Sequence, residues 1–459
     1  MWPEALPLNM RKSFNPSQAS YQPMEPIETL LTNGTVLTVD GQDTIIENGA
    51  VAISGDTICD IGPASRFSGH AVNTRIDARG GIIMPGLINT HTHAAMTCFR
   101  GLADDLDLMT WLNHYIFPAE ARLNADKVHA GTLLACAEMI LSGTTCFSDM
   151  YLFEDAVAEA AKSAGVRAVV GEVLYDFPSP NYGAIENGFA YTEDLISKWR
   201  DDALITVAVE PHSTYLCAPD LLEGAAAISE ANHVPLIIHV AETESESERI
   251  QSEHGKSPVA YLAATGVLSA RAVACHCVVL SDADIVLLKE NNVKVSHNPE
   301  SNMKLASGIS PVPRLLDADV CVGLGTDGCT SNNDMDMFAE MDTAAKIHKV
   351  SCLDPTVMEA RTVVRMATIE AARVLGLDRK TGSLEIGKKA DLIVIDTQKP
   401  HLTPMYNIYS HLVYAAGGSD VAAAMINGRL VMKDRQLVSL DVEKVMADVN
   451  QIAEALRNS

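Results

Sequence analysis

The stretch PGLINTHTH, Pro85–His93, decides the reading of this chain. Successive side chains of a strand alternate between its two faces, so His91 and His93, two positions apart, point the same way. Three later apolar runs end on chemistry of the same kind. LIIHVAETE brings His239 and, three residues on, Glu242; AVACHCVV carries His276; VGLGTDG ends on Asp327. Each piece alone is weak. A His-x-His in a chain with 14 histidines is often a surface pair, a histidine at a strand end is often a satisfied core residue, and T-D-G is usually a turn. The weight lies in the combination and its order along the chain.

Around this stretch the sequence has a regular rhythm. Eight apolar runs read as strands, at 82–93, 144–150, 167–175, 204–212, 234–242, 272–279, 293–298 and 320–327. Helical periodicity fills most of the gaps, for example 130–141, 154–164, 220–232 and 282–291. Strands alternating with helices over roughly 240 residues are the signature of an α/β fold of the (β/α)8 TIM-type barrel kind. A doubly wound sheet is the alternative, but no G-x-G-x-x-G follows the first strand. In a barrel all C-terminal strand ends open on one face, where active sites sit. Imidazoles and a carboxylate meeting there make a divalent-metal site with room for a water.

The flanks have a different texture. Residues 28–76 alternate β-branched residues with the turn signals Asn33-Gly34, Gly41, Gly49 and Gly55-Asp56. Short strands return in ADLIVIDTQ and in VAAAMINGRLVMKDRQLV, where Asn427-Gly428 is a hairpin signal. These flanks are expected to form one small β-sandwich built from both chain ends. The expected division is a flexible extension at 1–26, sandwich at 27–82 and 381–440, barrel at 83–380, and a C-terminal helix at 441–459. A further helix is expected at 356–375.

Composition narrows the function. Lys and Arg number 34 against 59 Asp and Glu, a net charge of 34 − 59 = −25. Such a field repels phosphate backbones and anionic lipid, so neither nucleic acid nor a membrane is an expected partner. No run approaches the ~18 to 20 apolar residues of a membrane span, and residues 1–25 do not read as a signal peptide. The ten cysteines lie singly, apart from Cys275-His276-Cys277, and no C-x-x-C occurs. Neither a disulfide framework nor a thiolate zinc knuckle is expected, and a reducing cytoplasm is the default.

Longer motifs extend these fragments: PGLINTHTHAAMTCFRG, HVAETESE, ACHCVVLSD, VSHNPESNMKLASG and GLGTDGCTSNND. From about Ile27 onward the chain resembles the amidohydrolase superfamily. Within it the chain is most similar to the methylthioadenosine and S-adenosylhomocysteine deaminases, and the SHNP-x-SN-x-KL stretch and EPHSTYLC point to the adenosine-type deaminase branch. The resemblance implies His91, His93, His239 and Asp327 as ligands of one Zn²⁺ per chain, with Fe²⁺ or Mn²⁺ as alternatives. It implies Glu242 and His276 as proton-handling groups beside Asp327, with Glu120 and His212 contacting a small nucleoside. The implied reaction is hydrolytic deamination of methylthioadenosine, S-adenosylhomocysteine, adenosine or 5′-deoxyadenosine. A homo-oligomer is a further expectation. Some relatives carry an arginine after strand three; VVGEVLYDFPSPNYG has none.

The chemistry explains the residue types. Zinc lowers the pKa of a bound water from 15.7 towards ~7. Asp327 can take the proton, His276 can orient the nucleophile, and Glu242 can protonate a ring nitrogen. Glu120, in WLNHYIFPAEARL, is either a ribose contact or a solvated helix-start carboxylate. Glu210 is a nominal second-metal bridge but is read as structural, with His212 as the ligand-facing group. Trp111, Phe117 and Phe153 could wall a purine pocket or simply pack. Two other functions compete: a related hydrolase of triazines, guanine or other aminated or chlorinated heterocycles, and a non-catalytic binding protein on the same fold.

Overall fold

The computed structural model describes residues 27–106 and 108–457, so the expected extension at 1–26 lies outside the described residues. The central rhythm resolves into parallel strands, here named β1 (Leu87–Thr92), β2 (Thr144–Tyr151), β3 (Arg167–Leu174), β4 (Ile205–Val207 with Glu210–Pro211), β5 (Leu236–Val240), β6 (Ala272–His276), β7 (Lys294–His297) and β8 (Val322–Leu324). They form two sheets, in the orders β4-β3-β2-β1 and β5-β6-β7-β8. Backbone hydrogen bonds cross both gaps between the sheets. Ile237 N donates to Val209 O at 3.0 Å and His239 N to His212 O at 3.0 Å, while Asp327 N donates to His91 O at 2.9 Å. Every residue of β2 and β3 is buried, which is why these strands show no alternation of apolar and polar faces. Helices such as Ala125–Leu141, Glu154–Ala164 and Pro219–Asn232 separate successive strands.

The flanks meet in a single nine-stranded sheet. Its first part runs from Thr29–Leu37 to Ile82–Pro85 and its second from Leu392–Ile395 to Gln436–Leu437. One apolar cluster draws Leu31, Val51, Ile58 and Ile83 from the first part and Leu392 and Met425 from the second. The hairpin at Asn427-Gly428 is as expected, with φ of 49° and 74° at its two residues, the left-handed pair that a type I′ turn requires.

Three expectations need correction. The run at 82–93 is two strands in two sheets: Ile82–Pro85 pairs antiparallel with Leu392–Ile395, and β1 begins after Gly86. A Cβ on Gly86 would lie 2.6 Å from Thr145 Cβ, so the crossing admits no side chain. Asn33-Gly34 is a bulge inside Thr29–Leu37, opposite Gly49 of the neighbouring strand, and not a turn. The helix at 356–375 is two, Ala360–Met366 and Ile369–Val374. Thr368 breaks it at φ −134° and ψ −99°, and its hydroxyl donates back to Val364 O at 2.6 Å.

One buried ion pair joins the parallel strands to the flank sheet. Arg167 Nε donates to Asp391 Oδ2 at 2.7 Å, with both side chains at 2% exposure or less. The guanidinium also donates to Ala203 O at 2.8 Å and to Asn427 Oδ1 at 3.3 Å. No helix among the described residues is long and apolar enough to cross a membrane.

Candidate active site

The C-terminal strand ends bring His91, His93, His239, His276 and Asp327 together. Ligand atoms of His91, His239 and His276 lie within 4.8 Å of one another, as do those of His91, His93 and Asp327. Strands β5, β6 and β8 all leave their sheets through left-handed residues, at Ala241 (φ 51°), His276 (71°) and Asp327 (63°). Non-glycine residues occupy this region at a cost, and such strain collects at functional sites. Close packing beneath explains the G in GLGTDG: a Cβ on Gly325 would sit 2.8 Å from His91 N.

Three of the four imidazoles are tied by one nitrogen. His93 Nδ1 faces the Met150 carbonyl, His239 Nδ1 lies 2.7 Å from His212 O, and His276 Nδ1 lies 2.9 Å from Asn302 Oδ1. A carbonyl oxygen only accepts, so Nδ1 must be the protonated nitrogen of His93 and His239. Their Nε2 atoms then present lone pairs inward. His239 Nε2 lies 3.2 Å from His91 Nε2, and His93 Nε2 lies 3.1 Å from Asp327 Oδ1. A cation shared between them, whether a metal ion or the proton that Asp327 draws onto His93, satisfies both partners of such a contact. The residues therefore fit a divalent metal. Burial alone would lower His93, but the hydrogen bond and charge of Asp327 raise it to about 9. Burial draws His91 down to about 4. Asp327 is held in place by Ser301 Oγ at 2.6 Å and Ser331 Oγ at 2.8 Å, both donating to Oδ2.

Above this floor lies a cavity. Glu242, Glu120 and His212 all line it, together with His93, His239, His276 and Asp327. Burial raises the carboxyl of Glu242, moves that of Glu120 up to about 7, and lowers His212 to about 3. The rest of the wall is mostly apolar and includes Trp111, Phe117, Tyr151, Tyr175 and Leu305; no Lys or Arg is among its described lining residues. Phe153 is not in the wall, and neither is Glu210, which is fully buried against Gly171. Sequence reasoning assigned no role to Ser301, Asn302, Ser331 or the Met150 carbonyl. The first two lie in the SHNPESN motif and could have been found there; a backbone carbonyl leaves no sequence signal.

Residues 82–431 match the model of the Amidohydrolase family. The chain is 58% identical, over 94% of its own length and 98% of the relative's, to a 5-methylthioadenosine/S-adenosylhomocysteine deaminase of Syntrophobacter fumaroxidans. It is 44% identical to a 5′-deoxyadenosine deaminase of Methanosarcina mazei, over 94% of this chain and 98% of that one. The solved structure of an adenosine deaminase from Xanthomonas campestris with bound zinc superposes with a TM-score of 0.93 at 38% identity, covering 95% of this chain and all of that one. On the family match across most of its length and on these near-complete alignments, the chain belongs to the amidohydrolase family.

Proposed function

We propose that this protein hydrolyses the exocyclic amine of an adenine nucleoside, releasing ammonia and the inosine analogue. The observation that carries the reading is the cluster of imidazoles and Asp327 at the floor of an aromatic cavity that also holds Glu120 and Glu242. His91, His93, His239 and Asp327 would hold one zinc ion, which when bound supplies an acidified water. Asp327 is the base that accepts the proton at its carboxylate. Glu242, whose carboxyl burial raises, delivers a proton to a ring nitrogen and so makes the amino-bearing carbon electrophilic. His276, fixed by Asn302, steadies charge at that carbon. His212 contacts the base, Glu120 accepts from the ribose hydroxyls, and the aromatic wall excludes water. The names of the relatives above support a nucleoside substrate.

The cavity also favours some nucleosides over others. A homocysteine tail would bring a carboxylate to a wall with no Lys or Arg among its described residues, and an unpaired charge is costly to desolvate. Methylthioadenosine, 5′-deoxyadenosine and adenosine are therefore the preferred substrates, ahead of S-adenosylhomocysteine. The same reading takes the two parallel sheets as one closed (β/α)8 barrel over 83–380, supported by the hydrogen bonds across both gaps. It takes the nine-stranded sheet as a sandwich rolled about its shared cluster. Cysteines scattered singly, with no C-x-x-C, support a cytoplasmic location.

A panel of these nucleosides and of aminated heterocycles, scored for ammonia release with metal content measured alongside, tests the proposal. Glu120→Gln sharpens it. A charge-assisted hydrogen bond contributes roughly 1.5–3 kcal/mol, so kcat/KM should fall about ten- to a hundredfold for ribonucleosides and much less for a 2′,3′-dideoxy analogue. Equal losses on both would remove the sugar from the argument. Turnover of triazines alone would favour the competing hydrolase.

A further inference from the structure

The end of β1 is gripped by three consecutive residues of β2. The Thr92 hydroxyl lies 3.0 Å from Ser148 O and 2.7 Å from Asp149 Oδ1, Asp149 Oδ1 also accepts from the Ala94 amide, and the Met150 carbonyl takes His93 Nδ1. Asp149 thus bonds the residue before His93 and the residue after it. The regular ladder does not do this. Pairing of β1 with β2 slips between Asn89 and Thr92, one side of the strand pair advancing three residues while the other advances two. At the slip, a fully buried carboxylate replaces missing main-chain partners.

A second buried acid, Glu154, lies beside Asp149. Asp149 Oδ2 and both carboxyl oxygens of Glu154 have no other hydrogen-bond partner among the described residues. Burial first, and then the charges of Asp149, Glu210 and Glu172, push Glu154 well above the ordinary carboxylate range. Glu154 and Asp149 lie within hydrogen-bonding reach of each other. Two carboxyls so placed satisfy each other by sharing one proton.

We propose that Asp149 is a positioning residue for the metal site, clamping His93 into the ligand set, and that Glu154 is the acid that completes the clamp. The inference rests on the metal reading above. It differs from a merely structural role for Asp149 because it makes the affinity and geometry of the metal depend on a residue that touches neither metal nor substrate.

The test is the zinc dissociation constant of the full-length protein, measured by competition with a chromophoric chelator. The visible spectrum of the Co²⁺-substituted protein and the melting temperature of the metal-free form accompany it. Asp149→Ala should weaken zinc about 10- to 100-fold, the usual size for loss of a group that orients a ligand, and shift the Co²⁺ bands. Asp149→Asn keeps an oxygen for Thr92 and Ala94 and should recover most of the affinity. Glu154→Leu should weaken zinc, whereas Glu154→Gln, which still donates to Asp149, should not. Should Asp149→Ala fail to fold, Thr92→Val removes one donor from the clamp and should weaken zinc about 2- to 13-fold. Zinc affinity within twofold of wild type in the alanine variant with unchanged Co²⁺ bands, or equal losses in the alanine and asparagine variants, would overturn the clamp. A wild-type chain that binds neither ion would overturn the metal reading itself, a separate and recognisable failure.

Discussion

Arg167, at the start of β3, and Asp327, just past the end of β8, are both buried charged groups, and the molecule treats them in opposite ways. Around Arg167, all three guanidinium nitrogens find acceptors among a carboxylate, a carbonyl and an amide oxygen. Around Asp327 three imidazoles and a carboxylate crowd their ring nitrogens and oxygens onto one point, an arrangement that a bound divalent cation would satisfy. The first pattern holds two parts of the fold together. The second is the kind of local conflict that folds retain where they do chemistry. How completely buried polar groups are satisfied therefore separates the structural end of these strands from the reactive end.

The largest effect should come from breaking the reactive end. His239→Ala is expected to lower zinc content towards zero and kcat on the order of 10³-fold or more, since the activated water and its general base are lost together. The melting temperature of the metal-free protein should hardly change. A large fall in that temperature would show that the imidazoles are structural after all. The next effect belongs to the satisfied end. Arg167→Met leaves Asp391 buried and unpaired, which should cost about 3–5 kcal/mol of stability, read by denaturant unfolding. Turnover per folded molecule should stay near wild type. If activity fell in step with stability, the two ends would not be separable.

The smallest effect tests a buried acid at neither end. Glu210 has no hydrogen-bond partner among the described residues, and burial, with Asp149 and Glu172 nearby, raises its carboxyl well above the ordinary value of 4.5. A raised acid stabilises the fold while both states are protonated, and that contribution is lost as pH climbs beyond the unfolded value. Glu210→Gln cannot ionise, so its melting temperature should exceed that of wild type by a margin on the order of 1–3 °C that widens above pH 4.5. A margin that shrinks with pH would contradict the protonated assignment.

Much of the site was legible because strand ends are fixed points. A histidine or aspartate at the C-terminal end of a parallel strand has one place to go, and His91, His93, His239, His276 and Asp327 all go there. Glu120 was harder, since it reaches the cavity from a connecting segment whose path no periodicity reveals, and motif resemblance supplied it. What stayed hidden depends on tertiary placement. Ser301 and Ser331 act by holding Asp327, and Met150 acts through its backbone. The run at 82–93 looked continuous because both halves are buried on both faces, although they serve different sheets. Thr368 gave no helix-breaking signal because threonine stops a helix only when its hydroxyl and its surroundings agree.

The strand Ile82–Pro85 has a partner more than 300 residues downstream, in Leu392–Ile395. A ribosome working at about 5–20 residues per second would leave that apolar edge waiting roughly 15–60 s before its antiparallel neighbour is made. Unpaired apolar edges are templates for association with other chains. During synthesis this segment would depend on its parallel neighbour Thr29–Leu37, or on a chaperone. A polypeptide that ended before Leu392 would keep every residue of the imidazole cluster and still be prone to aggregate.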